Sequence, residues 1–196
     1  TAVNNLIIKP APTKTPTITI TGCNATAGSS QYAGLTINST PYVTIDGSNT
    51  VDGITRDLTV LLNDGTNGKN TINVYGNSDN TNIKNINVIV QSALGTDGSG
   101  IMIKGTASYS VDNSVIDNCA IGSTTVTECP HYGVQVYSES NYANKSVIIK
   151  NSLIYGKLRG IRVFKGIAKS YTFEILNNTI GTTQGNSGSY GIDLNN

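Results

Sequence analysis

Short apolar triplets recur along the chain at a long and nearly constant interval. In the clearest copies, a glycine is followed by an apolar, a variable, an apolar and a variable residue, at 100–104, 133–137, 160–164 and 191–195. The glycines are 33, 27 and 31 residues apart, which is about one turn of a solenoid. No stretch shows the apolar spacing of an amphipathic helix. The pattern therefore predicts strands that recur once per turn.

A second pattern lies between the copies of the first. It consists of an apolar residue, an asparagine two positions later and an apolar residue three positions beyond, with the asparagines at Asn85, Asn118, Asn151 and Asn177. Asparagine tolerates left-handed backbone angles and bonds nearby main chain, so it suits a bend between two strands. At the same corner of successive turns, these amides are predicted to form a hydrogen-bonded ladder. The alternative is that asparagine is simply abundant in a loop-rich chain.

Each period contains about three short strands, and this number determines the predicted fold. Ile, Val and Leu occur in short runs separated by Gly, Asn, Ser and Thr, as in all-β proteins. We predict an all-β, single-stranded parallel β-helix of about six coils, right-handed because parallel crossovers almost always are. We predict one domain, 1–196. Its N-terminal segment, 1–22, either packs on its own chain or is swapped or extended onto a neighbouring chain.

Alignment of the repeats predicts which side chains stack in columns. The inward columns are entirely apolar: Leu35, Ile72, Ile101, Val134, Ile161 and Ile192, and then Ile37, Val74, Ile103, Val136, Val163 and Leu194. The outward columns are Thr36, Asn73, Met102, Gln135, Arg162 and Asp193, and then Asn38, Tyr75, Lys104, Tyr137, Phe164 and Asn195. A shift of one residue would bury Arg162 and Asp193, so the pattern favours this register.

These repeats resemble the right-handed parallel β-helix of the pectin-lyase-like superfamily, from about Leu6 to the last residue. The stretches 6–12, 42–48 and 56–60 are similar, more narrowly, to the β-helix repeats of large bacterial secreted surface proteins. The superfamily includes polysaccharide lyases, hydrolases, adhesins and phage tailspikes. The resemblance therefore implies the fold and leaves the activity open.

The catalytic residues of the superfamily's enzymes are not recognisable in this chain. Its pectate lyases use acidic calcium ligands with a basic residue, and its polygalacturonases use clustered aspartates with a histidine. Here His131 is the one histidine and the 12 acidic residues are scattered. We therefore expect no catalytic residue, no metal, no cofactor and a protein that is not an enzyme. A β-helix lyase or hydrolase acting on polysaccharides is the alternative.

The stretch 157–169 is rich in cations and contains no acidic residue: Lys157, Arg159, Arg162, Lys165 and Lys169. This local excess would suit an anionic surface glycan or a neighbouring subunit, or it is simply the solvated outer face of one coil. A cross-strand pair between Arg162 and Asp193 is the expected use of that arginine. Nucleic acid is not an expected partner, because the pI is about 7.6 and no broad basic surface is present.

Aromatic residues and cysteines each leave two alternatives. Tyr75, Tyr137 and Phe164 form either a strip for sugar stacking or a set of packed corner residues. Cys119 and Cys129 either close a small disulfide or remain free, with Cys119 in the core. Cys23 would then be unpaired or linked to something outside the chain.

The first and last repeats carry the functional hypothesis. The chain begins with a strand-like segment containing Leu6, Ile7 and Ile8, and the last repeat, with Ile192 and Leu194, starts a coil without completing it. An open coil exposes apolar side chains and unpaired strand edges. We therefore expect either part of a longer β-helix, such as an adhesin stalk, or head-to-tail assembly into an open filament. No signal peptide or membrane-inserted segment is recognisable, and the expected protein is an extracellular structural or adhesive protein of bacterial origin.

Overall fold

The computed structural model describes residues 5–21, 33–63, 69–91, 98–138, 146–164, 172–184 and 188–195. Within these ranges the chain forms six coils of three strands each. Coil 1 has β1 (Leu6–Ile8), β2 (Thr17–Ile20) and β3 (Ala33–Asn38); coil 2 has β4 (Val43–Asp46), β5 (Leu58–Leu62) and β6 (Asn70–Tyr75); coil 3 has β7 (Asn82–Lys84), β8 (Ile86–Val90) and β9 (Ser99–Lys104); coil 4 has β10 (Ser114–Asp117), β11 (Ala120–Ile121) and β12 (Tyr132–Tyr137); coil 5 has β13 (Val147–Lys150), β14 (Leu153–Gly156) and β15 (Arg159–Phe164); coil 6 has β16 (Phe173–Leu176), β17 (Thr179–Thr182) and β18 (Tyr190–Asn195).

Each coil contributes one strand to each of three parallel, six-stranded sheets. The first sheet begins at β1 and ends at β16, the second runs from β2 to β17, and the third runs from β3 to β18. The prediction of an all-β parallel β-helix with about six coils is therefore confirmed. A short 3-10 turn, Val126–Glu128, is the one helical element in the described ranges, and none of their helices is long and apolar enough to cross a membrane.

The third sheet has the predicted register. Ile101 pairs with Ile72 and Val134, and Ile161 pairs with Val134 and Ile192. These residues are fully buried in coils 2 to 5, where each side chain contributes roughly 1.5 to 3 kcal/mol of hydrophobic stabilisation. The same alternation organises the first two sheets, so all three inward faces join in one apolar core.

One predicted outward column is not exposed to solvent. Asn73, Met102 and Gln135 alternate with the inward residues, yet all three are buried. Residues that begin the preceding strands contact two of them: Asn70 Nδ2 lies 3.3 Å from Met102 Sδ, and Ser99 Oγ lies 3.0 Å from Gln135 Oε1. The prediction that these positions are on the surface is therefore corrected: facing away from the core does not expose them.

The N-terminal strands lie on the body of their own chain. β1 pairs with β4 and β2 pairs with β5, both in parallel. The described part of segment 1–22 therefore belongs to coil 1 in this single chain.

Candidate interaction surfaces

The bend between the first and second sheets is made by the predicted asparagines. Asn85, Asn118, Asn151 and Asn177 all have positive φ angles, between 49° and 57°. Asparagine tolerates this left-handed conformation better than other residues with a side chain. The sequence pattern therefore identified the four corners correctly.

The hydrogen bonds along this corner differ from a simple asparagine ladder. Asn118 donates to Asn85 Oδ1 at 2.8 Å, but Asn85 donates to Asp46 Oδ1 and Asn151 donates to Asp117 Oδ1, both at 2.8 Å. An ionised carboxylate is the stronger acceptor for an amide. The predicted chain of four linked asparagines is thus corrected to one in which aspartates accept at two steps, and no link from Asn177 to Asn151 is present among the described residues.

A loop after β4, residues 47–57, covers the asparagine corner, and we call it the strap. Its two ends meet, because the backbone N–H groups of Asp57 and Leu58 donate to Gly47 O at 2.9 and 3.0 Å. The side chain of Arg56 then reaches coil 4. It donates from Nε to Asn118 O and from Nη2 to Asn118 Oδ1, each at 2.9 Å.

The amides of the corner in turn donate to the strap backbone. Asn118 Nδ2 lies 2.6 Å from Ile54 O, and Asn85 Nδ2 lies 3.1 Å from Gly53 O. The strap therefore joins coil 2 to coils 3 and 4 through side chains. The repeat pattern did not reveal this contact, because the strap occurs on one coil and has no counterpart to align with.

Charges on the outer face of the first sheet neutralise one another. Asp46 lies 3.3 Å from Lys84 Nζ and 3.9 Å from Lys9 Nζ, and Asp117 lies 3.4 Å from Lys150 Nζ. Burial alone would raise the pKa of Asp46, but hydrogen bonds from the Asn85 amide and the Ser48 backbone N–H, together with the hydrogen bond and charge of Lys84, lower that pKa below its usual value. These charges therefore form ion pairs within the chain.

The aromatic residues of the third sheet pack against their column neighbours. Lys104 Nζ lies 5.7 Å from the ring centroid of Tyr75 and 5.2 Å from that of Tyr137, and Lys104 is buried. Tyr137 and Phe164 stack with centroids 5.7 Å apart and an interplanar angle of 21°. Because ring faces contact each other and a cation, this geometry favours the packed-corner alternative over a strip for sugar stacking.

The described part of the predicted anionic-ligand patch is engaged within the protein. Lys157 is buried, Arg159 forms a close ion pair with Asp193, and Arg162 Nε lies 3.7 Å from the same carboxylate. Arg162 Nη1 also donates to Tyr132 Oη at 2.8 Å. The expected pair between Arg162 and Asp193 is present, with Arg159 as a closer partner that the sequence did not single out. Lys165 and Lys169 lie outside the described residues.

The two described cysteines are free and buried. The Sγ atom of Cys119 lies 3.3 Å from Asp117 O, and burial raises the pKa of this thiol to about 12. Burial also raises the pKa of Cys129. The predicted disulfide between them is therefore not formed, because Cys119 points into the apolar core. Cys23 lies outside the described residues.

Asn73 is a buried polar residue whose amide is not satisfied. Neither Nδ2 nor Oδ1 has a hydrogen-bond partner, and the side chain is fully buried. An unsatisfied buried polar group costs about 1 to 3 kcal/mol. Asn73 is thus a local weak point of the third sheet.

In the described ranges, no group of three or more His, Cys, Asp or Glu side chains is placed to hold a metal ion.

Coils 1 and 6 expose apolar side chains that the same columns bury elsewhere. Leu6 is 53% exposed, and Ile192 and Leu194 are 44% and 69% exposed. Ile7, at 59%, belongs instead to an outward column that is half-buried in the other coils. Ile8 is half-buried against the core. In coils 2 to 5, inward residues of these columns are at most 9% exposed. Four of the five predicted edge residues, Leu6, Ile8, Ile192 and Leu194, therefore end inward columns on the two end faces, whereas Ile7 faces outward from coil 1.

Comparison with known proteins adds little to this geometry. The sequence matches no protein-family model and no curated protein. Among solved structures it is similar to the pectin methylesterase from Aspergillus niger in deglycosylated form, at 15% identity and a TM-score of 0.21 over 94% of this chain and 91% of that one. A likeness at this level assigns no activity or substrate to this chain.

The comparison nevertheless corrects the prediction that this protein is not an enzyme. The similar structure is that of an enzyme, so the lack of a recognisable catalytic pattern in the sequence does not mark a non-enzyme. Catalytic status is therefore no part of the function proposed below.

Proposed function

We propose that the protein is an extracellular structural β-helix that assembles head to tail, through coils 1 and 6, into a fibre or surface appendage. The observation that carries this proposal is the exposure of Leu6 and Leu194 at opposite ends of columns that are buried in between. Covering one such half-exposed side chain should contribute about 1 kcal/mol. The extracellular setting rests on the resemblance of the repeats to secreted surface proteins.

The strand edges at both ends support the same proposal. Among the strands that the structure describes, β1, β2 and β3 each have one neighbour, as do β16, β17 and β18. Unpaired parallel edges are templates for another strand. A further coil placed on either face would satisfy the edge hydrogen bonds and bury the apolar columns together.

The lateral surface supports a structural role because its described contacts are internal. The Asp46–Lys84 and Asp117–Lys150 pairs neutralise charge along the first sheet, and the stacked Tyr137 and Phe164 rings occupy each other's faces on the third. Each of these contacts joins neighbouring coils, and repeated contacts between neighbours stabilise solenoids. The end faces are the surfaces where apolar columns stop without a partner.

The test is assembly of the purified 196-residue chain, followed by sedimentation velocity and negative-stain electron microscopy. We expect fibres whose yield rises with concentration, and we expect Leu194→Asp to abolish them while the preceding coils stay folded. Val51→Asp is the matched control, since Val51 is 87% exposed and lies on the strap of coil 2 rather than in coil 1 or coil 6. Monomeric rods at high concentration, or equal assembly of both variants, would overturn the proposal. Monomeric rods would instead favour the predicted alternative of a stalk segment.

A further inference from the structure

This inference rests on the proposed assembly and specifies its interface. We infer that a second copy of this chain docks as an in-register continuation of the helix. Coil 1 of one copy covers coil 6 of the next, with β1 on β16, β2 on β17 and β3 on β18. The contact is parallel and heterologous, so it leaves a new end face free after each addition.

The apolar columns match at the two end faces. Within the chain, each inward column runs without a break from coil 1 to coil 6. Continuation therefore places an apolar residue of coil 1 over an apolar residue of coil 6 in every sheet: Leu6 over Phe173, Ile8 over Ile175, Ile18 over Ile180, Leu35 over Ile192 and Ile37 over Leu194. In the second and third sheets, a shift of one residue would place outward threonines, Thr19 and Thr36, over these side chains, which disfavours other registers.

The charges of the two end faces are opposite. The segment 5–38 contains Lys9 and Lys14 and no acidic residue, whereas the segment 172–196 contains Glu174 and Asp193 and no basic residue. Within the chain, Lys9 lies 3.9 Å from Asp46 and Asp193 is paired with Arg159, so Lys14 and Glu174 carry most of this difference. Contact between unlike ends is therefore favoured over contact between two copies of the same end. The complementarity selects head-to-tail association.

The predicted register also brings two of these charges close together. Lys9 continues the column that ends at Leu176, and Glu174 is two residues earlier on the same face of β16. Diagonal neighbours on adjacent strands lie about 7 to 8 Å apart at the backbone, within reach of a lysine side chain. Asp193 would lie over the uncharged Thr36 and keep its arginine partners.

Cysteine cross-linking tests the register directly. Thr17 and Thr179 lie at opposite ends of one outward column of the second sheet, and the inferred contact places their Cα atoms about 5 Å apart, within disulfide range. Thr17→Cys with Thr179→Cys, in a Cys23→Ser background, should give covalent oligomers after mild oxidation. The matched control is Thr19→Cys with Thr179→Cys, which is two residues out of register.

The outcomes separate this inference from the proposed function. Fibres that are locked covalently by the Thr17/Thr179 pair at several times the rate of the Thr19/Thr179 pair would support the inferred register. Fibres that cross-link equally or faster through the control pair would overturn the register and leave end-to-end assembly intact. If the Cys23→Ser parent forms no fibres, both fail together.

Discussion

The contact between Arg56 and Asn118 makes a sharp prediction about the strap. Arg56 donates two hydrogen bonds of 2.9 Å to Asn118 across two coils. A hydrogen bond contributes about 0.5 to 1.5 kcal/mol net, so Arg56→Ala should lower the stability of this region by about 1 to 3 kcal/mol. Arg56→Lys should recover only part of the loss, because lysine keeps the charge but cannot bind two acceptors in the same plane.

Hydrogen exchange measures where the loss falls. Apart from the strap, a solenoid coil contacts chiefly its neighbours, so the effect should remain local to coils 2 to 4. We expect faster exchange in Arg56→Ala at the backbone N–H groups of Asn85 and Asn118, which donate to Asp117 O and Lys150 O. Protection in coil 6 should be unchanged.

A control variant separates the clamp from a general charge effect. Lys14→Ala removes an exposed cation whose side chain is not part of the asparagine corner, and it should leave exchange in coils 3 and 4 unaltered. Equal loss of protection in both variants, or none in Arg56→Ala, would refute the idea that the strap holds these coils together.

Three further predictions concern single side chains. Asn73→Leu should raise the free energy of unfolding by about 1 kcal/mol in urea titrations, because it replaces an unsatisfied amide with an apolar group of similar size; destabilisation would contradict this assignment. The lowered pKa of Asp46 means that its stabilising contribution is present above its usual pKa of 3.8 and is lost as the pH falls through the lower folded value. The stability difference between wild type and Asp46→Asn, measured by urea unfolding, should therefore shrink at acid pH, and a constant difference would refute it. Glu174→Lys should raise the critical concentration for fibre formation roughly fivefold by placing a like charge near Lys9, and an unchanged value would argue against this pair.

The fold could be predicted from the sequence because parallel pairing brings equivalent positions of successive repeats together. Ile72, Ile101 and Val134 therefore form in the structure the same column that they form in an alignment. The bends could also be predicted from the sequence. A residue with left-handed backbone angles is needed at the same place in each coil, and asparagine tolerates that conformation.

Contacts that do not repeat could not be predicted in this way. The strap occurs once, so Arg56 has no equivalent in other coils. The carboxylate links depend on which of two adjacent polar residues, such as Asp117 or Asn118, projects toward the next amide. Met102 and Gln135 are contacted by Asn70 and Ser99, which begin the preceding strands, and alternation along a strand does not describe such contacts.

Side-chain clamps reach both end coils, which have fewest neighbours, and the strap contacts coil 1 through Lys9 and Lys14. Arg56 ties coil 2 to coil 4, and Arg159 of coil 5 holds Asp193 of coil 6. An end coil lacks the contacts of one neighbour, so its stability depends more on such clamps than that of a central coil. A docked copy would supply the missing contacts without displacing either clamp, since Asp193 would face Thr36 and the strap lies on the side of the rod. Arg56→Ala should therefore destabilise the free chain more than the fibre.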